Sequence, residues 1–208
     1  MTREPEPGSA PDAKALRASA PDAKALRALA HPLRWQLIDL LGSEGTATAT
    51  RCAEVLGDSV ASCSYHLGIL GKYGYAEIVP DRPGREKPWR LTSAEQNLST
   101  DGLDDEGALA AEQATEVFLD HEIGRLKDRL RRRGLEPEQW RRASRTLGVT
   151  TWMTALELRE VSDQLMQILV QHEDRLADPS IRPEGAREVR LFAATSVAPP
   201  LPPRGARP

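Results

Sequence analysis

Apolar residues recur along this chain at spacings that change from segment to segment. In ALRALAHPLRWQLIDLLG, Leu26, Leu29, Leu33, Leu37 and Leu40 return every three or four positions, which lays one stripe along a helix. After Gly42 and Gly45, TATATRCAEVLG gathers Ala49, Cys52, Ala53 and Leu56 on a short apolar face and meets Gly57, a helix stop. DSVASCSYHLGILGKYG opens on Asp58 or Ser59 as N-cap and sets Val60, Cys63, Leu67 and Leu70 on one side of a third helix. The extended runs Tyr75 to Val79 and Pro88 to Thr92 flank a turn rich in Pro, Gly and charge, which predicts a β-hairpin.

From about Glu106 the pattern turns to long helices. Ala111, Ala114, Val117, Phe118, Ile123, Leu126 and Leu130 mark the first, and Trp152, Leu156, Val161, Leu165, Ile168, Leu169 and Leu176 the next. Stripes of that length are expected to be covered by a second subunit, with Val117, Phe118, Leu126, Trp152, Leu156, Leu165 and Leu169 as the dimer contacts. Trp140, Trp152, Met153 and Met166 leave open a pocket for a small apolar effector in the same region. Val189 to Ala194 reads as an added strand, and VAPPLPPRGARP as a disordered tail.

The expected organisation is mainly α with a small hairpin: a disordered or frayed extension over 1–21, a first domain over 22–95, a helical dimerisation and effector region over 96–195, and a tail over 196–208. Residues 9–18, SAPDAKALRA, recur identically as 19–28, and only the second copy has a core to join. The chain has 208 residues, 39% of them hydrophobic, enough for a core with polar tails. MTREPEPGSAPDAK lacks the order of a signal peptide and no stretch is apolar enough to span a bilayer, so a cytoplasmic protein is expected. The two cysteines, Cys52 and Cys63, are too few for a disulfide scaffold and are expected as buried, reduced thiols.

A short helix, a tight turn, a second helix with a polar outer side and then a hairpin is the order of a winged helix-turn-helix. Helix 59–73 would enter the major groove, and the wing 80–88 would reach the flanks. Thr48, Ser59, Ala61, Ser62, Ser64, Tyr65 and His66 are the candidate contacts to DNA, with Arg82, Arg85 and Lys87 on the wing turn DRPGREK as phosphate ligands. The net charge of −3 adds no support by itself; a basic face would have to arise by segregation, since acidic residues concentrate after residue 100.

The segments ALRALAHPLRWQLIDLL, TATATRCAEVLGDSVASCSYHLGILGKYGYAEIV and GREKPWRLT resemble the arsenical-resistance-repressor (ArsR) group of winged-helix regulators, particularly its actinobacterial branch with a long helical C-terminus. The likeness spans residues 22 to 95; its most specific parts are LAHPLR and the pattern of Ser59, Ser62, Ser64, His66 and Leu67. It implies a homodimeric repressor of transcription on a near-palindromic duplex site, often relieved by a ligand or metal. Metal-responsive members place a Cys-x-Cys pair in the first helix of the motif or paired His and carboxylates on the dimer helix, whereas here Cys52 stands alone, so no metal or cofactor is expected.

His121 and His172, each before a Glu, lack a local ligand spacing and read as helix-face or helix-to-helix groups. Arg131, Arg132 and Arg133 suit a helix C-terminus, and His31, Trp35 and Trp89 read as packing residues, the first two against the wing or the dimer helices. The competing class is a winged helix used for protein association without DNA. No Gly-rich phosphate loop, Gly-x-Ser-x-Gly elbow or His-Glu-x-x-His motif supports an enzyme. Operator, regulated genes and effector are not encoded in any motif.

Overall fold

Pro32 splits the first apolar stripe into two helices. Without an N–H, proline is tolerated in the first turn of a helix and disrupts its interior. Accordingly α1 (Ala23–Arg27) stops short of it and α2 (Pro32–Glu44) begins with it, where a single helix was expected. His31 caps α2 from extended backbone, its Nδ1 accepting the Leu33 N–H at 3.2 Å. Two α2 side chains close the break: the Trp35 Nε1–H donates to the Leu29 carbonyl at 2.8 Å, and Arg34 donates to the carbonyls of Arg27 and Ala28.

The computed structural model describes residues 23–80, 86–93, 98 and 102–199, and these divide into two units between Arg131 and Arg132. In the first, Thr48 caps α3 (Ala49–Leu56) by accepting the Arg51 N–H at 3.2 Å. Gly57 ends that helix at φ 68°, a left-handed conformation that glycine adopts without a Cβ clash. Ser59 then caps α4 (Val60–Lys72), its Oγ accepting the Ser62 N–H at 3.0 Å. Strands β1 (Ala76–Ile78) and β2 (Trp89–Leu91) pair antiparallel with Ala76 opposite Leu91. Ala47 adds a bridge on the other edge of β2, exchanging both main-chain bonds with Trp89 at 3.0 and 2.8 Å.

Leu29, Leu37, Leu41, Cys52, Cys63, Leu67 and Leu70 form the centre of the core, with Ala76 at the start of β1. The 28-residue α5 (Asp105–Arg132) lies against it through small residues: Ala110 and Ala111 meet Leu26, and Ala114 joins the main cluster with Val117 and Phe118 beside it. Small side chains let a helix approach closely, and the Trp35 ring fills the remaining space at 4.8 Å from Phe118.

The second unit holds α6 (Glu138–Ala143), α7 (Ala155–Val170) and the short α8 (Asp174–Ala177). Thr154 and Glu157 form a reciprocal capping box, which starts α7 after Trp152 rather than at it. The helix expected from Trp152 to Leu176 is therefore shorter at its start and interrupted after Val170. Residues 189–194, expected as a strand, are irregular, because no described segment pairs with them to complete a ladder. Among the described residues no helix is long and apolar enough to cross a membrane. Residues 1–22 and 200–208, with the first repeat copy, lie outside the described residues.

Candidate nucleic-acid interface

Burial sorts α4 into two faces. Cys63, His66, Leu67 and Leu70 are buried at the spacing of one helical face, and Ala61, Ser64, Tyr65, Gly68 and Lys72 are exposed on the other. Ser59 is exposed and Ser62 half-buried. The polar outer face is thus the expected one at Ser59, Ala61, Ser64 and Tyr65, with corrections at half-buried Ser62 and at two further positions. Val60, expected inward, is 45% exposed because it occupies the first turn, ahead of the core. His66, expected outward, is only 8% exposed.

Burying a histidine is costly unless its ring nitrogens are satisfied. Here the Arg34 Nε–H donates to His66 Nδ1 at 3.2 Å, which requires the Nε2–H tautomer. His31 packs on the same ring at a tilt of 38° with centroids 4.3 Å apart, rather than on the hairpin or α5 as expected, and Tyr65 meets it edge-on at 5.1 Å. Burial pushes the His66 pKa below its ordinary value, and the nearby His31 and Arg34 add to this while Asp58 opposes it. His31 is lowered by burial and by Arg34, again against Asp58. Two neutral rings and one guanidinium therefore tie the recess between α1 and α2 to the inner side of α4.

Gly68 and Lys72 were not singled out from sequence, although they follow Ala61, Ser64 and Tyr65 at helical spacing. Lys72 Nζ lies 5.4 Å over the Tyr73 ring. Thr48 is half-buried with its hydroxyl engaged as the α3 cap, and the Thr50 hydroxyl donates to Glu86 Oε1 at 2.7 Å, joining α3 to the hairpin. Arg51 pairs with Glu44 at 2.7 Å and Glu54 at 3.7 Å, and Glu77 with Arg90 across the strands at 2.7 Å. Lys87 is exposed beside the turn; Arg82 and Arg85 lie outside the described residues. Trp89 packs over Gly71, where a Cβ would lie 2.6 Å from the indole. This close approach sets the hairpin on the C-terminal end of α4.

Of the expected dimer contacts, Val117, Phe118 and Leu126 are half-buried on α5, beside Leu119, Ile123 and Leu130, which are exposed. In the second unit Trp152 and Leu156 are exposed at 93% and 64%, Leu165 and Leu169 half-buried, and no described residue is buried. His121 makes a helix-to-helix contact, its Nε2 lying 2.6 Å from an Asp39 carboxylate that also pairs with Arg125. His172 is exposed, and among the described residues no group of three or more His, Cys, Asp or Glu is arranged to hold a metal ion. Arg131 pairs with Asp128, and Arg133 donates to the Arg141 carbonyl at 3.0 Å. Both cysteines are free thiols in the core; burial raises each, Cys52 to about 11. No protein family matches the chain by its sequence profile, and no curated protein matches it.

Proposed function

We propose that the chain is a winged-helix transcription regulator that binds duplex DNA as a homodimer, with α4 in the major groove and the β1–β2 hairpin as the wing. The observation that carries this reading is the outer face of α4. Over 13 residues it offers Val60, Ala61, Ser64, Tyr65, Gly68 and Lys72, short side chains apart from Tyr65 and Lys72, while the inner face is locked into the core. Such a helix is about 20 Å long and, with so little outside its backbone, slim enough for a groove about 12 Å wide. The likeness to ArsR-type repressors agrees with this reading and makes repression the expected sign.

The exposed apolar residues of α5 and of the second unit favour a partner subunit, since side chains such as Leu130 and Leu156 gain by leaving water. A dimer is also what sets two recognition helices about 34 Å apart, one turn of duplex. The same exposed residues, with the net charge of −3, favour a second reading as a protein-association module without DNA.

The test is selection of genomic duplex fragments at two salt concentrations, beside a variant with Arg82, Arg85 and Lys87 changed to alanine. A near-palindromic site should be enriched, with binding weakened by salt and by the variant at unchanged sequence preference. No enrichment at either salt would leave the association module as the better reading.

A further inference from the structure

The exposed face of α4 lacks the side chains that read a base edge through paired hydrogen bonds. Guanine is read by Arg or Lys at O6 and N7, adenine by Asn or Gln at N6 and N7, and cytosine by a carboxylate at N4. The outward positions from Val60 to Gly68 are Val60, Ala61, Ser64, Tyr65 and Gly68, none of those types. Among the described residues, Arg34, Arg51 and Asp58 nearby are engaged elsewhere. Arg34 holds His66 and two carbonyls, Arg51 holds Glu44 and Glu54, and the Asp58 carboxylate accepts the Ser59 N–H at 2.6 Å. Lys72 stands at the far end of the helix, over Tyr73.

Besides the hydroxyls of Ser64 and Tyr65, which can each bond singly, the face offers apolar surface. Val60 is 45% exposed and the Tyr65 ring 65%, with the Ala61 methyl between them on the N-terminal half, the part of a recognition helix that meets base edges. Gly68 follows with nothing within 4 Å of where a Cβ would stand, so the backbone there adds no obstacle to close approach. The apolar group a base presents in the major groove is the pyrimidine C5-methyl, which thymine carries and cytosine acquires only on methylation.

We propose that this face recognises C5-methylated pyrimidines, with Ala61 and Tyr65 packing on the methyl groups, so that sequence preference arises from apolar contact. This rests on the DNA-binding reading. The test uses the full chain and the duplex it selects, with each thymine in turn replaced by deoxyuridine, which deletes the methyl and keeps the base pair. Cytosines are replaced in turn by 5-methylcytosine in a second series.

At the contacted positions deoxyuridine should weaken binding about fourfold per methyl, the factor for one buried methylene-sized group. Tyr65→Ala, a change at an exposed position, should bind the two duplexes more nearly alike. Tightening by 5-methylcytosine with no effect of deoxyuridine would support the same contact with methylated cytosine as its source. Indifference to both replacements on a duplex that is still bound would overturn the proposal and leave the DNA reading standing. Failure to select any duplex would overturn both.

Discussion

Two glycines of α4 respond in opposite directions to the same substitution. Alanine is favoured over glycine within a helix by up to about 1 kcal/mol, because glycine has more backbone freedom to lose. At Gly68 a new methyl meets nothing within 4 Å, so Gly68→Ala should stabilise the chain by about 0.5 to 1 kcal/mol. At Gly71 the methyl would lie 2.6 Å and 3.0 Å from two ring atoms of Trp89. That ring cannot retreat freely, since the Trp89 N–H and carbonyl are both bonded to Ala47 on one edge of β2 and β1 pairs on the other. Overpacking of this kind costs about 1 to 3 kcal/mol, and the propensity gain is smaller in a last turn, so Gly71→Ala should destabilise by about 1 to 2 kcal/mol. Urea unfolding followed by circular dichroism reads both variants, and Trp89→Leu combined with Gly71→Ala should recover part of the loss through the coupling between the two sites. Equal stabilisation by the two alanines would refute the close packing of the hairpin on α4.

Stability should also fall as the pH drops below the ordinary histidine value of 6.5. His31 and His66 are both lowered in the folded chain, so in that window the unfolded chain binds the protons and the contribution is full only above it. His31→Asn keeps a cap acceptor and removes one titrating ring, and it should flatten the profile between pH 7 and 5; an unchanged slope would count against the packed histidine pair. Cys52, raised to about 11, and Cys63, also raised, should resist alkylation at pH 8 in the native chain and react fully in urea. Rapid labelling of the native protein, read by mass spectrometry, would contradict their burial.

The local sequence determined much of the first unit. Ser59 before an apolar face, Gly57 after one, and the Pro- and Gly-rich turn between two extended runs act through hydrogen bonds and backbone preferences that reach only a few residues, so α3, α4 and the hairpin were legible. Pro32 was also a legible signal of the α1–α2 break, but the leucine stripe continuing across it masked the break.

The inward turn of His66 was not legible. Periodicity places a polar residue outside by default, and here the partner that makes burial affordable is Arg34, 32 positions away and itself held by carbonyls of the preceding turn. The His121 contact with Asp39 spans 82 positions. The tight fit of Trp89 on Gly71 likewise exists only once β2 is paired. Helices and turns are settled by forces acting along a few residues of chain. Which polar groups of those helices are buried depends on partners brought together by packing, and that the tertiary structure alone decided.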